Sequence, residues 1–195
     1  MKEKIKILGI AGSLRKDSFN KALLRAAVEL APTDAEIETF DIAGIPPYNQ
    51  DQDNDQPESV KEFKRKIREA DAILIATPEY NYSIPGVLKN AIDSASRPYG
   101  DNAFDCKPVA IMGASIGMIG TARAQYHLRQ SFVFLNMYPI NQPEVMVPHA
   151  QDKVDAHGRL TDETARGLIR QLLESLVSWA RRVGRGGAAA EEKAA

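Results

Sequence analysis

The chain has 195 residues, 44% of them apolar and 26% charged, which suffices for a substantial buried core in a fold of ordinary domain size. Its 25 Lys and Arg against 26 Asp and Glu leave a formal net charge of -1, with no basic footprint for nucleic acid and no block of like charge for a membrane surface. Its single cysteine, Cys106, excludes an intrachain disulfide framework. No apolar run approaches the ~20 residues of a spanning helix. Met1-Lys2-Glu3-Lys4 leads into a strand and not into an apolar signal segment, so the cytoplasm is the expected compartment.

Ile5 to Ile10 is an apolar segment running into Ala11-Gly12-Ser13, which predicts a buried strand ending in a turn. From Ser18, the residues Phe19, Ala22, Leu23, Ala26, Ala27 and Leu30 recur at helical spacing until Pro32. Glu36 to Phe40 suits a short second strand, and Ile45 to Gln56 is a proline-rich polar loop. Pro57 favours the first turn of a second helix, with Val60, Phe63, Ile67 and Ala70 inward and a mostly solvated charged face. Ala72-Ile73-Leu74-Ile75-Ala76 lacks alternation, as expected of a central parallel strand covered on both faces. A helix after Pro85 and a fourth strand over Pro108 to Met112 follow. Thr121 to Leu135 then reads as a helix, Val145 to Val147 as a short final strand, and Ala165 to Ala180 as the last inward helix face. Residues 1–183 are read as one domain and 184–195, rich in Gly and Ala, as a disordered tail.

This rhythm is that of an α/β, doubly wound parallel sheet, whose ligands bind beyond the carboxyl ends of the strands. Three loops lie there. Gly12-Ser13-Leu14-Arg15 through Ser18-Phe19-Asn20 combines hydroxyls, a guanidinium and backbone donors at a helix start, which suits a phosphate; composition alone somewhat favours ordinary capping by Asp17 or Ser18. It contains neither a nucleoside-triphosphatase phosphate loop nor a Gly-x-Gly-x-x-Gly dinucleotide fingerprint. Thr77 to Gly86 sets Tyr80 and Tyr82 among amides and hydroxyls, fitting a flat heterocycle or, alternatively, a proline-stiffened connection covering the core. In the third loop, Gly113, Gly117 and Gly120 permit close backbone approach beside Ser115, or simply ease a turn.

Gly12-Ser13-Leu14-Arg15 with Ser18-Phe19-Asn20, followed by Pro78-Glu79-Tyr80-Asn81-Tyr82-Ser83-Ile84-Pro85-Gly86, resembles the NAD(P)H-dependent FMN reductase family, its chromate and quinone reductases in particular. The resemblance spans roughly residues 4–182. It implies a flavodoxin-like, five-stranded sheet of order 2-1-3-4-5 with helices on both faces, FMN as cofactor and NADPH or NADH as hydride donor. Gly12, Ser13, Leu14, Arg15, Ser18, Phe19 and Asn20 would form the phosphate side; Pro78, Glu79, Tyr80, Asn81 and Tyr82 would line the ring, with Ser115 beside it. The implied activity is ping-pong electron transfer to small acceptors: quinones, chromate, azo compounds or flavin. The competing reading is a flavodoxin-like carrier serving a protein redox partner, which the near-neutral charge disfavours.

The resemblance also implies a homodimer or homotetramer, to which Arg123, Tyr126 and Glu144 are candidate contributors. Ser94 departs from it, standing where many relatives carry tryptophan. His127, His149 and His157 form no ligand pattern with Cys106, so no metal is expected and the histidines are assigned surface or structural roles. No protein nucleophile is expected, since the flavin carries the chemistry.

Overall fold

The computed structural model describes residues 3–194, with side chains described to residue 184. The chain runs β1 (Ile5–Ala11), α1 (Phe19–Glu29), β2 (Ala35–Phe40), α2 (Glu58–Glu69), β3 (Ala72–Ala76) and α3 (Gly86–Ala95). It continues through β4 (Pro108–Ala114), α4 (Ala122–Phe134), β5 (Tyr138–Pro139), β6 (Val145–Val147) and α5 (Glu163–Ala194). The tail expected over 184–195 lies, from residue 185, outside the residues whose side chains are described. Among the described residues, no helix is long and apolar enough to cross a membrane.

All named strands pair in parallel in the order β2-β1-β3-β4-β5, with β6 also on β4. The period-2 alternation of each central strand divides its side chains between two cores. Ile7, Leu74, Ala76, Ala110 and Met112 face Leu23, Ala27, Ile169 and Leu173, on the layer of α1 and α5. Leu8, Ile10, Ile73, Ile75, Val109 and Ile111 face Phe63, Ile67, Leu88, Ile92 and Phe132, on the layer of α2, α3 and α4. Every residue of β3 is fully buried, so its uninterrupted apolar run reflects helices on both faces. Each such Leu or Ile stabilises the fold by ~1.5–3 kcal/mol through removal from water.

The far edge differs from the expected single fifth strand. Its place is shared by two short strands, β5 pairing with the start of β4 and β6 with its end. Tyr138 N and Ile140 N donate to the Lys107 and Val109 carbonyls, both at 2.9 Å, so Pro139 falls where its missing N–H would face away from β4; the chain then leaves the sheet and rejoins it at Val145.

One charge on α2 leaves the solvated face. Lys64 is 2% exposed, and its Nζ donates to Gln56 Oε1 at 3.0 Å, to the Arg97 carbonyl and to Asp101, tying α2 to the loop that precedes it and to the segment that follows α3. Burial alone would raise the Asp101 carboxyl. The hydrogen bond and charge of Lys64, with the charge of Arg68, outweigh that and hold it below its ordinary value of 3.8. Lys64→Met is therefore expected to cost about 2 kcal/mol, a fall of roughly 4–8 °C in Tm. A carboxyl with a depressed folded pKa stabilises above its unfolded pKa and loses that contribution as pH falls through the folded one. The deficit in a urea titration should accordingly be full near neutrality and shrink below pH 3.8.

Candidate functional site

The three loops predicted to converge do so at the carboxyl ends of β1, β3 and β4. Gly12 N donates to the Ala76 carbonyl at 2.8 Å, Thr77 N to Met112 O at 2.9 Å, and Ser115 N to Val147 O at 3.1 Å, so each loop leaves the sheet fixed to its neighbour. Two glycines permit that closeness. A Cβ on Gly12 would lie 2.9 Å from Leu88 Cδ2, and one on Gly113 would lie 1.8 Å from Thr121 Oγ1 and 2.5 Å from the Thr77 carbonyl. The second clash is partly with backbone, which cannot swing aside, so Gly113→Ala should cost about 3 kcal/mol by urea denaturation.

The first loop gathers donors at a helix start. Ser18 caps α1, its Oγ accepting from Asn20 N at 3.2 Å, and Ser13 Oγ accepts from Arg15 N at 3.3 Å. Both hydroxyls therefore keep a hydrogen to donate. Among the described residues, the backbone N–H groups of Leu14, Lys16, Asp17 and Phe19 have no hydrogen-bond partner, and they lie at or just before the positive end of α1. Arg15 is exposed, with its guanidinium 5.1 Å from the Phe19 ring centroid. Asn20 has other work. Its Nδ2 donates to the Ala114 carbonyl and its Oδ1 accepts from Ala114 N, both at 2.9 Å, so its buried amide locks α1 to the end of β4.

The second loop is a two-residue hairpin. Tyr80 and Ser83 exchange backbone bonds of 3.0 and 2.9 Å, while Asn81 and Tyr82 take left-handed φ values of 50° and 65°. That is the primed geometry a tight hairpin requires. Tyr80 and Tyr82 are 54% and 68% exposed and Pro78 is buried. Glu79, by contrast, is covered: its side chain is 6% exposed and pairs with Arg123, while Oε2 accepts from the N–H groups of Arg123 and Ala124 at 3.0 and 3.2 Å. Its carboxylate thus serves as the missing cap of α4, whose N-cap residue, Thr121, makes no side-chain cap bond. The adjacent carboxylate raises the Arg123 guanidinium further, keeping it charged.

In the third loop, Ser115 Oγ donates to the Gly120 carbonyl, closing the segment upon itself and leaving Ile116, Met118 and Ile119 exposed. Sequence reasoning left two residues out of the site that border it. Arg123 lies over the Tyr82 ring at 3.5 Å, and His127 Nδ1 is 2.9 Å from Ser83 Oγ. Their i, i+4 spacing, which puts both on one helix face, was the available signal. Ser94 is buried on α3, its Oγ donating to the Asn90 carbonyl at 2.9 Å, beneath the loop carrying Gln56.

A parallel sheet of order 2-1-3-4-5, with an anion-ready loop after its first strand and aromatic side chains across the switch-point crevice, defines a flavodoxin-like mononucleotide-binding protein. The model of the NADPH-dependent FMN reductase family matches residues 5–152, and the chain belongs to that family. It is 56% identical over 184 residues to an NAD(P)H-dependent FMN reductase of Pseudomonas aeruginosa, covering 94% of this chain and 99% of that one. It is 47% identical to a 2-hydroxy-1,4-benzoquinone reductase of a Burkholderia species, covering 91% and 97% of the two chains. Among solved structures, FerB, an NAD(P)H:(acceptor) oxidoreductase flavoenzyme from Paracoccus denitrificans, superposes with a TM-score of 0.84 at 38% identity, covering 91% of this chain and 98% of that one. The chain is accordingly an oxidoreductase that uses FMN with NAD(P)H. The crevice suits that cofactor: uncommitted N–H and hydroxyl donors for a phosphate at one end, exposed aromatic and aliphatic side chains for a flat ring at the other.

Proposed function

We propose that the enzyme passes two electrons from NADPH or NADH to quinones by a ping-pong cycle, donor and acceptor using the same open face in turn. The observation that carries this reading is the exposure of Tyr80 and Tyr82 on the second loop and of Ile116, Met118 and Ile119 on the third, loops that follow the paired strands β3 and β4; together these side chains would wall the crevice. Such a wall takes a planar nicotinamide or quinone by stacking and burial and selects weakly between them. Azo compounds, chromate and free flavin fit the same open site as further acceptors. The relatives named as FMN reductase and benzoquinone reductase support the donor and acceptor classes.

Bound FMN supplies the hydride-accepting and hydride-donating centre. The protein's part is placement. Arg15 and the N–H donors at the start of α1 neutralise and orient the phosphate, aided by the hydroxyls of Ser13 and Ser18. Asn20 and Glu79 act one step back, holding α1 against β4 and the hairpin against α4. Pro78, Tyr80 and Asn81 present the ring wall, and Ser115 keeps the third loop closed beside it. Reduction of a quinone to its hydroquinone consumes one hydride and one proton, and water reaching this exposed crevice provides the proton without a dedicated acid.

Initial velocities with benzoquinone varied at several fixed NADPH concentrations should give parallel double-reciprocal lines; intersecting lines would remove the ping-pong cycle. We also read the protein as a cytoplasmic homodimer or homotetramer, supported by the exposed Tyr126, Val133 and Phe134 along α4. Sedimentation velocity tests this: a monomer at micromolar concentration contradicts it.

A further inference from the structure

The hairpin at residues 80–83 is a strained element placed where a flavin needs a fixed wall. Asn tolerates the left-handed region, but Tyr82 at φ 65° does not do so freely, since its Cβ crowds the backbone at a cost of ~1–2 kcal/mol. Such a conformation persists only where its surroundings over-determine it. Two backbone bonds close the hairpin, and they fix its shape without fixing where it points. The position comes from α4. At the entry, Glu79 caps that helix; at the tip, Arg123 lies over Tyr82; at the exit, His127 Nδ1 meets Ser83 Oγ at 2.9 Å.

We propose that His127 is a positioning residue of this reductase, acting through Ser83 to hold the exit of the hairpin, and thereby the ring-facing wall of Tyr80 and Asn81, at a set distance from α4. The inference rests on the reading of this crevice as the FMN site. Without the His127 bond, the hairpin stays anchored only at its entry and tip. Tyr80, on the strand leading into it, then gains freedom about the Glu79 anchor. The bond works in either sense, since a hydroxyl donates or accepts and the tautomer adapts. What matters is a hydrogen-bonding atom at the Nδ1 position, which asparagine reproduces and phenylalanine does not.

The test uses the full-length chain stripped of flavin and titrated with FMN by fluorescence quenching, together with steady-state kinetics of the reloaded enzyme. His127→Phe and Ser83→Ala should each raise the FMN Kd and the KM for benzoquinone roughly three- to tenfold, the range set by loss of one hydrogen bond. The double variant should be no worse than either single one, because both remove the same contact. His127→Asn should return both constants to within about twofold of wild type. Phe and Asn variants that both match wild type, or single effects that multiply in the double variant, would overturn the assignment. An Asn variant as impaired as the Phe variant would overturn it too. Should wild-type protein itself fail to bind FMN, the reading of the crevice fails with it; a wild type that binds FMN beside indifferent variants removes His127 alone.

Discussion

Arg15→Ala is expected to raise the Kd for FMN about ten- to hundredfold, the loss of one charge-assisted contact of ~1.5–3 kcal/mol. Arg15 is exposed at the mouth of the phosphate loop and makes no ion pair among the described residues, so its removal leaves no buried partner stranded and little effect on Tm is expected. The remaining cradle of backbone N–H groups and the Ser13 and Ser18 hydroxyls would still hold flavin at high concentration. At saturating FMN, the rate of flavin reduction by NADPH should therefore approach that of wild type. Fluorescence titration gives the first quantity and stopped-flow absorbance the second. An unchanged Kd removes Arg15 from the phosphate site.

Glu79→Ala is expected to cost about 2–4 kcal/mol in stability, or a fall of roughly 5–15 °C in Tm. The substitution strips the N-terminus of α4 of its cap, leaving the Arg123 and Ala124 N–H groups unpaired, and removes the carboxylate partner of Arg123. Arg123 is about one-third exposed, and water offsets part of that loss, which keeps the figure below that of a fully buried pair. Glu79→Gln, retaining one acceptor oxygen, should fall between. The measurement belongs on flavin-free protein, where a residue acting only on the ring would show no change in Tm.

These two residues mark what the sequence reveals and what it does not. Both stand in recognisable loops, and motif order alone puts them at one crevice. Arg15 sits on a short exposed loop with no competing partner, so its chemical type suffices to suggest its role. Glu79 has the same apparent standing, yet its carboxylate turns to a helix start 44 residues further on, a partner no local pattern displays. Asn20 behaves likewise, since its amide matches the backbone of Ala114, 94 residues away.

The fold follows the same division. The unbroken apolar run of β3 and the helical spacing of Phe63 and Ile67 or Leu172 and Leu176 are consequences of local geometry, and they predict the sheet and its two covering layers. The two-residue β5 carries no periodicity to read, and half of it is proline. Lys64 sits among charged neighbours on an amphipathic helix. Only the return of Arg97 and Asp101 past α2 makes its burial possible. His127 belongs with these, a helix residue whose partner is set by the path of a distant hairpin.

Whether this crevice holds an FMN reduced by NAD(P)H and reoxidised by a quinone is tested most directly by anaerobic double-mixing stopped flow. FMN-loaded protein is mixed first with NADPH or NADH and then with benzoquinone, with the flavin absorbance followed throughout. Rapid bleaching is expected in the first mix with at least one nicotinamide, and full recovery of oxidised flavin in the second. Bound flavin that neither nucleotide reduces at an appreciable rate would contradict it and favour an electron carrier; reduced flavin indifferent to benzoquinone would leave the donor half standing and remove quinones as acceptors.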